Sequence, residues 1–132
     1  MFGLGKKKVP TSKLLNFLNN ADDALTLAYE QLDVHAAIPF LHARLLDYIG
    51  EEIASGRDLT QELGLAKYRV RTWSKPVIEG NQYIVRKQIR HKDVQIHGMI
   101  RIPVGDNIDE DWYISSSSTG FVVTDIRRIE SI

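Results

Sequence analysis

The hydrophobic period of this chain changes near residue 65, and that change restricts the architecture more than any motif. Before it, apolar residues recur every three to four positions; after it, they tend to alternate. The first spacing buries one side of a helix, and the second buries one face of a strand. Helices followed by strands, without interleaving, predict an α+β domain built on a mostly antiparallel sheet.

Leu14, Leu15, Phe17, Leu18, Ala21, Leu25, Leu27, Ala28, Tyr29 and Leu32 make a broad stripe within residues 12–32. Thr11 or Ser12 suits its N-cap. Asp33 suits the cap of a short second helix over 34–38, and Pro39 interrupts the backbone or opens the next helix. Phe40, Leu41, Leu45, Leu46, Ile49 and Ile53 predict a third helix over 40–55, stopped at Gly56. Residues 1–10 hold two glycines, three lysines and Pro10, and read as a flexible basic arm. One domain is expected over 11–132.

Strands are predicted over 66–75, 82–90 and 94–104, with a final hairpin of 112–116 and 121–129. Pro76 and Gly80-Asn81 mark a turn region, the acid-rich stretch 105–111 a loop, and Gly98 a bulge within its strand. The expected sheet is curved and four- to five-stranded, with the helices on its concave face. Alternation assigns Tyr68, Val70, Tyr83, Val85, Ile96, Ile100 and Ile102 to the inner face, where Lys87 is an exception. The outer face receives Lys67, Arg69, Arg71, Arg86, Arg90, His97 and Arg101, with Trp73, Met99 and Tyr113 among them. Ile84, Val122 and Ile126 share that outer parity. No strand is expected to aim a carboxylate inward except by the parity of Asp125.

At 132 residues the chain is long enough for one core without metals or disulfides, and it contains no cysteine. No apolar run approaches the roughly 20 residues of a membrane span. The N-terminus places its charges after a very short apolar stretch, the reverse of a signal peptide. A cytoplasmic location is expected. The net charge is zero, yet residues 9–65 carry three basic and nine acidic side chains, whereas residues 66–104 carry nine basic and two acidic. This segregation suits attraction between layers or copies, or an anionic partner.

The stretches LDVHAAIPFLHARLL (32–46), AKYRVRTWSKPVIEGNQYIVRKQI (66–89) and DWYISSSSTGFVVTDIRRI (111–129) carry a resemblance. The chain resembles the nuclear transport factor two-like, cystatin-like cone superfamily, and within it the bacterial relatives of the mitochondrial import-motor scaffold domain. It departs in the acidic loop 105–111 and in having Phe121 where those domains carry a tryptophan. The resemblance implies a cone pocket, here lined by Tyr29, Phe40, Tyr68, Tyr83, Ile100 and Trp112. Folds of this kind host isomerases, dehydratases, cyclases, adaptors and scaffolds, so fold does not choose among them.

A pocket enzyme needs an inward base and an oxyanion donor. Asp33, His42 and Tyr68 are the candidates, although Asp33 reads better as a cap and His42 as a helix-boundary residue. His35 and His42 are seven apart across a proline, and His91 and His97 six apart, so no metal-ligand spacing arises. No cofactor is implied.

The outer face is the more informative surface. Arg69, Arg71, Trp73, Ile84, Arg86, Met99 and Arg101 form the candidate interface. Aromatic and aliphatic side chains among the cations favour a covered face, so self-association ranks first. A solvated face ranks second, and single-stranded nucleic acid a distant third. Three lysines in the arm make at best a marginal membrane anchor. The resulting expectation is a non-catalytic domain that binds protein or a small apolar ligand and pairs through its outer sheet face. A pocket enzyme and an adaptor at a membrane-associated assembly are the alternatives.

Overall fold

The computed structural model describes residues 11–56, 69–91, 93–96, 100–103 and 108–129. Helix α1 spans Thr11–Gln31, a 3-10 turn Val34–Ala37, and helix α2 Ala43–Ala54. The strands are β1 Arg69–Trp73, β2 Val77–Glu79, β3 Gln82–His91, β4 Asp93–Ile96, β5 Ile100–Pro103, β6 Ile108–Ser117 and β7 Gly120–Ile129. Helices therefore precede strands, as the change of period implies. The main sheet is antiparallel in the order β1-β3-β6-β7, and β2 joins β3 beside β1, making five strands. The helices pack against one face of this sheet.

Helix α1 buries Leu14, Leu18, Ala21 and Ala28, one residue per turn, with Leu25 partly buried between them. These side chains share one core with Val85, Trp112, Ile114 and Val123 from the sheet. Trp112, Ile114 and Val123 are fully inaccessible to solvent.

The helix ends in a two-bond turn. The Asp33 N–H donates to Ala28 O at 3.0 Å and the Leu32 N–H to Tyr29 O at 3.3 Å. That pattern needs a left-handed residue between them, and Leu32 takes it with φ 56°. Asp33 then caps the 3-10 turn, its carboxylate accepting the His35 N–H at 3.0 Å.

Helix α2 begins at Ala43, three residues later than the apolar pattern predicts. The edge of β7 takes the backbone of residues 40–42 instead. His42 N–H donates to Val123 O at 2.9 Å, and Val123 N–H donates to Phe40 O at 2.8 Å. Leu41, bridged in parallel to Val123, is buried there.

Three strand assignments change. The segment expected as one strand over 94–104 is the antiparallel pair β4 and β5, with Val94 opposite Ile102 and Ile96 opposite Ile100; Gly98 lies outside the described residues. The expected loop at 105–111 gives way to β6 from Ile108 onward, because Asp109, Glu110 and Asp111 pair with Gln88, Lys87 and Arg86. The turn region contains β2, closed on β3 by a two-residue turn at Gly80, φ 61°, and Asn81.

Candidate functional site

Strand register sorts the sheet into rows. Trp73 opposes Lys87, Lys87 opposes Glu110, and Glu110 opposes Arg128, so four strands contribute one row on the helix-facing side. Beneath this row, α1 presents Asn19, Asp22 and Asp23, spaced three and four residues apart on one helix face.

The polar groups of the two layers meet. Lys87 Nζ lies 2.6 Å from Asp22 Oδ1 and 3.8 Å from Glu110 Oε1. Arg71 donates to Asp22 Oδ2 at 2.7 Å and to Asp23 Oδ1 at 2.8 Å. Arg128 lies 3.8 Å from Glu110 Oε2. Three cations thus share three carboxylates. Two indoles complete the cluster. Trp73 donates its Nε1–H to Asn19 Oδ1 at 2.8 Å, and Trp112 donates to Glu110 Oε1 at 3.3 Å. The two rings meet edge to face at 5.1 Å, and the Lys87 ammonium sits 6.0 Å from the Trp73 ring and 5.5 Å from the Trp112 ring.

Burial lowers the affinity of the Arg71 guanidinium for its proton, but the bonds to Asp22 and Asp23 outweigh it and raise its pKa above the usual arginine range. Arg71 is therefore a fixed cation. The cluster cannot relax by losing charge there.

The structure corrects the expected faces of β1. Arg71 and Trp73 belong to the inner face, where Asn19 and Asp22 hold them; Val70, expected inside, is 40% exposed. Inner parity also brings a carboxylate inward: Glu110 sits in the row that the sequence assigned to a loop. On β7, a bulge opposite Tyr113 and Ile114 reverses the alternation. Ile126, expected outside, packs on the core, while Asp125 pairs across to Tyr113 on the outer face. Asp125 accepts the Ile126 N–H at 2.9 Å and Arg127 Nε–H at 2.7 Å.

The outer face is not a bare basic surface. Arg86 makes a two-pronged bond to Asp111, at 2.8 and 3.1 Å, and Arg90 donates to Asp109 at 2.8 Å. Arg127 pairs with Asp125 and lies 4.7 Å over the Tyr113 ring. These acids come from β6 and β7, so each cation already has a carboxylate beside it. A row of Val77, Ile84 and Tyr113 crosses the same face, with Val122 one step further along.

Two of the three residues expected to form a catalytic group are described. Asp33 and His42 are both exposed helix caps: His42 Nδ1 accepts the Arg44 N–H at 3.2 Å and opens α2. Tyr68 and Met99 lie outside the described residues, as do the side chains of Arg69, Ile100 and Arg101. Of the expected pocket set, Trp112 is buried beside the ionic row, opposite Val85 and Ile126. Phe40 and Tyr83 belong to a second group, in which Phe17 meets Phe40 at 6.0 Å and Phe121 at 5.4 Å, and Phe121 meets Tyr83 at 6.2 Å. Tyr29 donates its hydroxyl to Glu52 and ties α1 to α2. Among the described residues, no group of three or more His, Cys, Asp or Glu side chains is arranged to hold a metal ion, and no helix is long and apolar enough to cross a membrane.

Sequence reasoning missed Asn19, Asp22, Asp23 and Glu110. One signal pointed to them: Lys87 interrupts an otherwise apolar parity in β3, and a lysine at such a position requires buried carboxylates.

No protein-family model matches the chain, and no curated protein matches it significantly. Among solved structures, the intermembrane space region of chloroplast protein ARC6 is similar to it, with a TM-score of 0.50 at 12% identity over 94% of this chain and 99% of that one. At that identity the likeness shows a shared fold and nothing further.

Proposed function

We propose that this chain is a non-catalytic protein-interaction domain that associates with a second copy through the outer face of its sheet. The carrying observation is the pairing of every described cation on that face. Arg86, Arg90 and Arg127 each have an aspartate at 2.7–2.8 Å, so none of these three guanidiniums is free to recruit phosphate. A face whose arginines are paired with aspartates, crossed by Val77, Ile84, Tyr113 and Val122, suits a protein surface with the same mixture of groups. A second copy supplies that mixture, since a two-fold pairing sets the same patch against itself. The enzymatic alternative is less well supported, because Asp33 and His42 are exposed and each serves as a helix cap. The resemblance to the nuclear transport factor two-like cone domains supports the same reading, in which the face away from the helices is the one that pairs.

Sedimentation velocity tests this reading. A species of about 30 kDa, twice the 15.0 kDa chain, is expected, and Ile84→Glu should reduce it to a monomer with an unchanged circular dichroism spectrum. A monomeric parent chain at 100 μM (a concentration where even a dimer of roughly micromolar affinity is filled) would overturn the proposal.

A further inference from the structure

We infer that the inner row contains a recognition site for a primary alkylammonium, filled in this chain by its own Lys87. The surroundings of the Nζ atom are those of a cation receptor: a carboxylate at 2.6 Å, a second at 3.8 Å, and two indole rings at 5.5 and 6.0 Å. Indole faces at that range attract an organic cation, and the effect strengthens where water is excluded. Lys87 is 7% exposed and Asp22 8%.

The charge balance makes the site specific for a monocation. With Lys87 in place, Asp22, Asp23 and Glu110 face Arg71, Lys87 and Arg128. Removal of the ammonium leaves one negative charge in excess. The two guanidiniums are already engaged elsewhere: Arg71 is bonded to both Asp22 and Asp23, and Arg128 approaches Glu110 from the far strand. The walls also hold their places. Trp73 is tied to Asn19, and Trp112 is fully buried with its N–H on Glu110. Rigid walls leave a cavity when a side chain is shortened, and a preformed cavity accepts the missing group from solution.

The short bond to Asp22 selects the ammonium type. A primary ammonium donates the hydrogen bond, whereas a quaternary one has no N–H to offer. Truncation of Lys87 to alanine deletes three methylenes and the nitrogen, which is the size of n-propylammonium.

The test is the chemical-denaturation midpoint of Lys87→Ala, titrated with n-propylammonium, n-propanol or tetramethylammonium chloride. A saturable rise is expected with n-propylammonium in the variant and not in the parent chain, at least tenfold tighter than any rise with the alcohol or the quaternary ion. Equal effects of the amine and the alcohol, or an equal effect on the parent chain, would overturn the inference. Should Lys87→Ala not fold, Lys87→Cys supplies the second measurement, because the chain has no other cysteine. The thiol is alkylated in denaturant with an aminoethyl or a propyl group and the chain is refolded. Recovery of the parent midpoint by the aminoethyl adduct alone is expected; equal recovery by the neutral adduct would sink the site.

Discussion

Lys87 on β3 and Asp22 on α1 are 65 positions apart in the chain, and their charged atoms meet at 2.6 Å with both residues more than nine-tenths buried. This contact fixes which part of α1 lies over which strand. Apolar packing between a helix and a sheet tolerates sliding, while a buried hydrogen-bonded pair is satisfied in only one arrangement.

The pair therefore behaves asymmetrically under mutation. Asp22→Asn leaves Lys87 with its nearest negative partner at 3.8 Å, and Lys87→Met leaves Asp22 with Arg71 alone. Each single change is expected to cost about 3–5 kcal/mol, the usual loss when one member of a buried pair is removed. The double variant Asp22→Leu/Lys87→Met should recover a substantial part of that loss. Urea unfolding of the four chains measures the coupling, and additive losses would show that the pair does not act as a unit.

This relationship explains what was legible in the sequence. Periodicity located α1 and β3 well, since one face of each is apolar and long enough to show its spacing, and Asp33 as a cap with Pro39 as a break located the 3-10 turn. It failed at β6, where Asp109, Glu110 and Asp111 look like a loop because acids are uncommon in strands. Their partners Gln88, Lys87 and Arg86 lie more than 20 residues away, and no local pattern reveals them. Parity failed at β1 for a related reason. Arg71 and Trp73 alternate with Val70 and Thr72, so the choice of inner face rested on Val70 against a cation. The deciding partners, Asn19 and Asp22, are on another element. On β7 a single bulge moved Ile126 inward and Asp125 outward, and nothing in the chain around Thr124 announces it.

The inward position of Trp73 separates two outcomes. Were it an interface residue, Trp73→Glu would dissociate a dimer and leave the fold intact. Its indole is instead bonded to Asn19 and packed edge to face against Trp112. Trp73→Glu is expected to abolish cooperative unfolding at 25 °C, because it buries a third carboxylate beside Asp22 and Glu110. The milder Trp73→Phe keeps an aromatic ring but loses the N–H and part of the indole's bulk, and the lost hydrogen bond alone costs about 1–2 kcal/mol. A Trp73→Glu chain that stays folded would return the residue to the outer surface.

The two caps give smaller and local effects. Asp33→Ala removes the acceptor for His35 N–H, and His42→Ala the acceptor for Arg44 N–H. Each is expected to cost about 0.5–2 kcal/mol, whereas Asp33→Asn and His42→Ser should cost less than half as much, since these side chains also cap. Thermal midpoints measure the difference. If either residue served a pocket reaction instead, the alanine and the capping variants would have the same stability.

Leu32 offers a stabilising change. It is a leucine at φ 56° and 66% exposed, so it bears the left-handed strain without gaining burial in return. A non-glycine residue in that conformation costs about 1–2 kcal/mol, part of which glycine returns through its greater freedom in the unfolded chain. Leu32→Gly is expected to raise stability by about 0.5–1 kcal/mol, because the two hydrogen bonds of the turn, to Ala28 and Tyr29, involve only backbone. Leu32→Ala should not, since alanine meets the same steric penalty. A loss of stability in Leu32→Gly would mean that the exposed leucine makes a contact in solution, and the most direct check is whether the loss depends on protein concentration.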